Sequence, residues 1–223
     1  MPPFSCVLVG NESLLVECAK VLTGRGHHIA TIASRNAEVI AWATGAGIPV
    51  VAPGKGIADR ISAEFDWLLS IANLSVLPGA LIARARKGAV NFHDGPLPRY
   101  AGLNAPVWAL LNGEARHGIT WHRIEGGVDE GRVLAQRLFD IGPDDTAFSL
   151  NARCYGAAIE TFPAVVEALE RDEPGQAQDL TQRSVCRRDD RPQRAGRLDF
   201  SRPVTEVLRL VRALDHGGYW NPL

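Results

Sequence analysis

The sequence predicts an α/β protein with a mostly parallel sheet and helices on both faces of that sheet. Two observations carry this prediction. Short apolar runs recur along the first half of the chain, as expected for strands that are buried on both faces. Segments with apolar residues at helical spacing separate these runs. Strands that alternate with helices in this way form βαβ units, so we expect a Rossmann-like sheet.

The elements follow one another regularly up to residue 92. We predict buried strands at residues 5–10, 29–33, 48–51, 67–71 and 89–92. Apolar spacing predicts helices at residues 13–25, 37–44, 57–64 and 78–86. Gly24 closes the first helix, and Pro78 lies near the first turn of the last. The turn after the first strand lacks the G-x-G-x-x-G pattern and contains Glu12, which excludes a standard dinucleotide site.

The second half of the chain predicts a hairpin and a long helix. A helix is expected at residues 105–111. Strands are expected at residues 118–124, where apolar and polar residues alternate, and at residues 133–139. The two strands and the loop between them predict a hairpin. We call this glycine-rich loop, residues 125–131, the lip, and it contains Asp129. The longest helix is expected to begin at residues 144 and 145 and to run to about residue 171.

The composition changes at residue 183, where the predicted catalytic domain (residues 1–182) ends. Residues 183–202 are rich in Arg, Asp, Pro and Gly and predict a linker, whose arginines are either solvated or a patch for a phosphate-bearing partner. Helical spacing resumes at residues 204–214. We expect residues 203–223 to be the start of a C-terminal subdomain, and the apolar, proline-containing end suggests a truncated chain.

The composition is typical of a globular protein. The chain has 223 residues, of which 46% are hydrophobic and 22% charged. No apolar run is long enough to span a bilayer and the first residues lack a signal-peptide pattern, so the cytoplasm is the expected compartment. The net charge of −1 argues against extended nucleic-acid binding. The four cysteines form no C-x-x-C pair and the histidines show no H-E-x-x-H spacing, so we expect no metal.

The strand at residues 89–92 leads into the most informative stretch. Side chains two apart on a strand point to the same side, so Asn91 and His93 should project together where the strand opens into a loop. An amide donor beside an imidazole suits a substrate whose oxygen gains negative charge. The pair alone is explained equally well by a turn-capping Asn91 and a merely polar His93.

A longer pattern continues from this pair. Residues 91–93 (NFH) and 96–102 (PLPRYAG) resemble the N-x-H…LP-x-Y-x-G signature of the folate-dependent formyltransferases. Residues 118–122 (GITWH) and 128–131 (VDEG) are similar to the G-x-T-x-H…D-x-G segment of the same family. The resemblance is close over about residues 65–169 and looser beyond.

The resemblance implies a formyl donor, N10-formyltetrahydrofolate, an amine acceptor, and a catalytic trio of Asn91, His93 and Asp129. The chemistry of these residue types agrees. An amine that attacks a formyl group gives a tetrahedral intermediate with an anionic oxygen, which needs fixed donors such as an amide and an imidazolium. A nearby carboxylate favours the imidazolium and can accept, directly or through water, the proton that the amine sheds. On this reading His122 supports the strand beside the site.

The family binds the flat pterin ring largely through backbone groups on two loops. The resemblance places these groups at residues 74–77 and on the lip. The implied cofactor-binding residues are Leu74, Ser75, Val76, Leu77, Gly127 and Val128. Leu77, Val76 and Val128 would supply apolar walls, although a core role for Leu77 is nearly as well supported by the sequence.

The acceptor stays open between an amino acid, a carrier-bound aminoacyl group and an amino sugar. The form GPLPRYAGLN at residues 95–104 resembles formyltransferase-like domains attached to nonribosomal peptide or polyketide synthetases, which would imply further domains as partners. Initiator tRNA is disfavoured, because residues 34–56 offer only Arg35 and Lys55 as basic groups. Two other functions remain: a formyltetrahydrofolate hydrolase that delivers water, and a non-catalytic module that binds folate or docks a carrier.

Overall fold

A computed structural model describes residues 2–219, apart from the side chains of Arg194 and Ala195. The strands are β1 (Ser5–Val9), β2 (His28–Ala33), β3 (Val50–Val51), β4 (Phe65–Ser70), β5 (Ala85–His93), β6 (Ala101–Gly102), β7 (Arg116–Arg123), β8 (Val133–Asp140) and β9 (Val185–Cys186). The helices are α1 (Ser13–Gly24), α2 (Ala37–Gly45), α3 (Ile57–Arg60), α4 (Gly79–Ile82), α5 (Ala105–Leu111), α6 (Ala147–Glu170) and α7 (Val204–Leu214).

Seven of these strands form one sheet in the order β3-β2-β1-β4-β5-β7-β8. The first five strands of this order are parallel, whereas β7 and β8 are antiparallel to their neighbours. The predicted Rossmann-like, mostly parallel sheet is therefore confirmed, and β7 and β8 form the predicted hairpin. The carboxyl ends of β1, β4 and β5 lie level, because Val9 pairs with Ser70 and Ser70 pairs with Asn91. Open sheets of this kind bind ligands at that edge.

Two hydrophobic layers cover the two faces of the sheet. On one face, Leu8 of β1 and Phe92 of β5 belong to a core that includes residues of α1, α2 and α6. On the other face, Val9 and Ala89 belong to a core that includes residues of α3 and α4. Because side chains alternate along a strand, Asn91 and His93 share the face of Ala89. The sequence pattern thus fixes which side of the sheet carries the polar pair.

Two predicted helices are shorter than expected. The helix predicted at residues 57–64 ends at Arg60, and the one predicted at 78–86 ends at Ile82, with β5 beginning at Ala85. The guanidinium of Arg84 donates hydrogen bonds to the carbonyl oxygens of Ala58, Ile61 and Ala63. These long-range bonds satisfy carbonyl groups at the end of α3, and no local sequence pattern reveals them.

The segment predicted as a linker, residues 183–202, begins with a strand. β9 pairs with β6 in a parallel two-stranded sheet. Gly102 permits this pairing, because a Cβ atom there would lie 2.1 Å from the carbonyl oxygen of Cys186. The prediction of a plain linker missed this backbone contact. The position of the domain boundary itself stays a prediction.

The predicted helix at residues 204–214 is confirmed as α7. Its Ala213 is buried in a small cluster with Val107 and Leu110 of α5 and Leu150 of α6. Residues 220–223, the end of the predicted subdomain, lie outside the described residues. Within residues 2–219, no helix combines the length and the apolar character that a membrane span requires.

Gly10, at the carboxyl end of β1, gives a test of this packing. A Cβ atom at Gly10 would lie 1.9 Å from the carbonyl oxygen of Ile71, so we expect Gly10→Ala to lower the free energy of unfolding by about 2 kcal/mol or more. Gly24→Ala is the matched control, because a Cβ atom there meets nothing within 4 Å. Urea unfolding should show no loss for the control. Equal stabilities of the two variants would contradict this packing.

Candidate active site

The site is built at the carboxyl end of β5, where Asn91 and His93 lie on one face of the strand. The antiparallel pairing of β5 with β7 sets Asn91 opposite His122 and His93 opposite Thr120. Residues directly opposite each other in an antiparallel pair share a face. The Nδ2 atom of Asn91 lies 3.2 Å from the Nε2 atom of His122. The sheet register therefore adds a second imidazole to the predicted pair.

Asp129 reaches this pair from the loop between β7 and β8. Its Oδ2 atom accepts a hydrogen bond of 2.8 Å from the backbone N–H of Gly102 and lies 3.7 Å from the Nδ1 atom of His93. Its Oδ1 atom lies 3.3 Å from the Nε2 atom of His122. The Asp129 side chain is only 10% exposed. The structure thus brings the three predicted residues Asn91, His93 and Asp129 together.

The neighbours of His93 determine which of its ring nitrogens faces the site. Its Nε2 atom lies 2.7 Å from the carbonyl oxygen of Tyr100, which can only accept a hydrogen bond, so Nε2 carries a proton. The Nδ1 atom then faces the carboxylates of Asp129 and Asp94, at 3.7 and 3.9 Å. Because the Tyr100 carbonyl already occupies Nε2, Nδ1 is the ring nitrogen that is left to contact a substrate oxygen.

His122 is the site residue whose role the sequence did not predict. Its Nδ1 atom lies 2.9 Å from the carbonyl oxygen of Arg123 and therefore donates to it. In the neutral imidazole, Nε2 accepts from the amide of Asn91, whereas in the imidazolium it donates to Asp129. His122 thus contacts two members of the trio. Its spacing from Thr120 in the GITWH stretch was the available signal, but only the strand register places it opposite Asn91.

The charge of Asp129 is strongly stabilised. Burial raises the pKa of this carboxyl group, but the hydrogen bond with His122, the nearby charge of His93 and the Gly102 N–H outweigh burial and lower the pKa to about 2. Asp129 is therefore ionised at any pH near neutrality. An ionised carboxylate can accept a proton and can balance a cationic imidazole, and these are the two roles that the trio requires.

The predicted cofactor-binding residues differ in their exposure. The side chains of Leu74, Val76 and Val128 are 85%, 84% and 56% exposed. Leu77 is instead buried, in the core layer that also contains Leu81 of α4 and is contacted by Ile124. Its side chain therefore fills the core, which was the alternative reading of this residue. Ile124, which lies just before the lip, packs against the same core layer.

The backbone of the lip is partly occupied by the protein's own side chains. The N–H of Gly127 donates to Glu130 over 3.1 Å, and the carbonyl oxygen of Val128 accepts from Arg183 over 2.8 Å. In the other loop, the amide of Asn73 donates to the carbonyl oxygen of Ser75 over 2.8 Å. A ligand of these two loops would use the remaining backbone groups or displace these bonds.

His117 lies near the site but does not belong to a ligand set. Its Nε2 atom donates to the carbonyl oxygen of Asp94 over 2.8 Å, and burial lowers the pKa of this imidazole. No group of three or more His, Cys, Asp or Glu residues with a geometry suited to a metal ion occurs in the part of the chain that the structure describes.

Comparison with known families agrees with this geometry. The sequence model of a family described as formyl transferase matches residues 59–166. This range begins within α3, ends within α6 and contains the whole trio. Residues 59–166, slightly less than half of the chain, are therefore similar to the formyl transferase family. The resemblance that the motifs indicated is thereby confirmed.

Curated formyltransferases are similar to about half of this chain. The chain is 36% identical over 113 residues to a GDP-perosamine N-formyltransferase of Brucella melitensis, which covers 51% of this chain and 44% of the relative. It is 36% identical over 129 residues to a methionyl-tRNA formyltransferase of Geobacter metallireducens, which covers 56% of this chain and 42% of the relative. The chain thus aligns with less than half the length of each of these relatives.

Solved structures share the fold of this chain over a longer range. An N-formyltransferase of Helicobacter canadensis, in complex with folinic acid and dTDP-3-aminofucose, superimposes with a TM-score of 0.78 at 17% identity, over 95% of this chain and 80% of that one. HypX of Aquifex aeolicus, in complex with tetrahydrofolic acid, gives a TM-score of 0.72 at 20% identity, over 96% of this chain and 35% of that one. At these identities the likeness concerns the fold.

The low pKa of Asp129 predicts a pH-dependent contribution to stability. A carboxyl group with an ordinary pKa of 3.8 and a folded-state pKa of about 2 stabilises the fold by about 2 kcal/mol above pH 5, and this contribution is lost as the pH falls from about 4 towards 2. Asp129→Asn should therefore lower the free energy of unfolding at pH 6, and by less at pH 3. Urea unfolding of both proteins measures the difference, and a difference that stays constant between these pH values would contradict the assignment.

Proposed function

We propose that this chain transfers a formyl group from N10-formyltetrahydrofolate to a primary amine. The observation that carries the proposal is the convergence of Asn91, His93 and Asp129 at the carboxyl end of β5, within the range that matches the formyl transferase family. An amide, an imidazole and an ionised carboxylate at one strand end can supply both an oxyanion site and a proton acceptor.

Each member of the trio has a distinct role in the proposal. The amide of Asn91 has two N–H groups, so it can contact His122 and still donate to the formyl oxygen. The Nδ1 atom of His93 is the second donor, because Nε2 is already bonded to Tyr100. Asp129 balances the imidazolium and accepts, directly or through water, the proton that the attacking amine loses.

The donor fits the residues around the trio. A pterin ring needs apolar walls and backbone hydrogen-bonding groups, and the bound donor supplies the formyl carbon. We propose that the exposed side chains of Leu74, Val76 and Val128 provide the walls. Backbone groups at Ser75, Leu77 and Gly127 would hold the ring edge. The folinic acid and tetrahydrofolic acid in the Helicobacter and Aquifex structures support a folate ligand for this fold.

An amino sugar is the acceptor that the comparisons favour. The Brucella relative is named for a GDP-linked amino sugar, and the Helicobacter structure contains a dTDP-linked one. The Geobacter relative, named for methionyl-tRNA, shows the same identity, so tRNA belongs in the test although the sequence of residues 34–56 disfavours it. Free amino acids and carrier-bound aminoacyl groups, with the further synthetase domains that the latter imply, are the other acceptors to be tested.

We place the reaction in the cytoplasm. Cys6, Cys18, Cys154 and Cys186 are free thiols in the structure. Free thiols persist where the compartment is reducing. Fractionation of the native host cells would test this compartment.

The assay uses the purified chain with N10-formyltetrahydrofolate and a panel of amines. The panel contains a nucleotide-linked amino sugar, a free amino acid, an aminoacyl carrier protein and an initiator aminoacyl-tRNA, and mass spectrometry identifies the product. We expect a mass gain of one formyl group on the amino sugar. Formate released without any amine would indicate a hydrolase, and tight folate binding without any product would indicate a non-catalytic module.

Substitutions within the trio test the assigned roles. Removal of one oxyanion donor typically lowers kcat by about 10²–10³-fold, so we expect losses of that order for His93→Ala and Asn91→Ala, and nearly complete loss for Asp129→Asn. His28→Ala is the control, because His28 is exposed at the start of β2. Circular dichroism should show intact folds. Near-normal turnover of any trio variant would refute its role.

A further inference from the structure

The segment after α6 contacts two loops next to the trio, the lip and the loop between β5 and β6. We call residues 176–186 the C-terminal strap. At its start, the backbone groups of Gln176 pair with those of Val133 over 2.8 Å in each direction. At its end, β9 pairs with β6, and the N–H of Leu103 donates to the carbonyl oxygen of Cys186 over 2.9 Å. Between these two anchors the strap passes the lip.

Gln178 holds the backbone on both sides of Glu130. Its Nε2 atom donates to the carbonyl oxygen of Asp129 over 2.9 Å and to that of Gly131 over 2.6 Å. Asp129 has a φ of +57°, a conformation that is uncommon for residues with a side chain. Such a conformation persists only where its surroundings fix it. The side-chain amide of Gln178 is therefore placed to fix the backbone that carries the carboxylate.

Arg183 adds a second contact to the same lip. Its guanidinium donates to the carbonyl oxygen of Val128 over 2.8 Å and lies 3.5 Å from the carboxylate of Glu130. Three carbonyl groups of the lip, those of residues 128, 129 and 131, thus accept hydrogen bonds from side chains of the strap. These three residues lie between β7 and β8, beyond the last pair of that hairpin ladder, His122 and Val133. Strand pairing therefore does not fix their backbone.

Ser184 acts on the other loop, next to His93. Its Oγ atom accepts from the N–H of Tyr100 over 2.8 Å, and its carbonyl oxygen accepts from Ala101 over 2.9 Å. The carbonyl oxygen of Tyr100 is the group that accepts from His93 Nε2. Tyr100 also has a positive φ, of +59°. Ser184 is thus linked to the imidazole of His93 by hydrogen bonds through one residue, Tyr100.

We propose that the strap is part of the active site, with Gln178 and Ser184 as positioning residues for Asp129 and His93. This proposal rests on the proposed formyl transfer. Neither side chain touches the trio's reacting groups. Each fixes a backbone segment with positive φ that carries or orients one of them. Loss of either contact should therefore lower kcat while leaving the KM for the amine nearly unchanged.

Gln178→Met tests the proposal with a matched control in the same strap. Methionine has nearly the same length but lacks both N–H donors, and a small displacement of a catalytic group lowers kcat by about 10- to 100-fold. Gln182→Met is the control, because the Gln182 amide donates to Asp179 over 2.9 Å on the exposed side of the strap. We expect normal kcat for the control, and reduced kcat with nearly unchanged amine KM for Gln178→Met.

Hydrogen exchange provides a readout that does not depend on activity. The Gly102 N–H donates to Asp129 Oδ2, so its exchange rate reports the position of the carboxylate. It should exchange faster in Gln178→Met than in the wild type, and at the wild-type rate in Gln182→Met. Unchanged kcat, or unchanged Gly102 exchange, in Gln178→Met would overturn the proposal.

The two proposals fail in different ways. A wild-type chain that formylates no amine overturns the proposed function, while faster Gly102 exchange in Gln178→Met would still establish the positioning of Asp129. If Gln178→Met does not fold, Ser184→Ala replaces it, and the exchange of the Tyr100 N–H is measured together with kcat. Wild-type values of both in Ser184→Ala would overturn the proposal.

Discussion

The carboxylate of Asp129 is the group on which the arrangement of the site depends. It is almost completely buried and ionised, and a buried charge is tolerated only where partners compensate it. Its partners come from three separate parts of the chain: His93 on β5, the Gly102 N–H on β6 and His122 on β7. One carboxylate therefore fixes the positions of the strand end, the following loop and the neighbouring strand relative to each other.

The same interaction explains why the lip needs outside support. Asp129 places its carboxylate into the site from a positive φ, a conformation that persists only where its surroundings fix it. The segment after α6 supplies contacts of this kind through Gln178 and Arg183, and it continues to β9 beside Tyr100. Asn91 and His93 thus lie on the sheet, whereas the backbone that carries Asp129 is bonded to a segment distant in sequence.

Most of the fold could be predicted from local patterns. Apolar periodicity located β1, α1, α5 and α6, because burial on a sheet or under a helix imposes that periodicity on the sequence. It failed where long-range polar contacts end an element, as at α3, whose last carbonyl groups bond to Arg84. It also failed for β9, whose partner is the backbone of β6 and whose side chains carry no pattern.

The sequence by itself determined the residue types of the trio and the strand end that carries two of them, because alternation along a strand and the motif spacing are local properties. Only the tertiary structure decided that His122 joins Asn91 to Asp129, that Nδ1 of His93 faces the site, and that Leu77 fills the core. These facts depend on strand register, on hydrogen bonds to backbone carbonyls and on packing between layers. None of these is encoded in the spacing of residues along one segment.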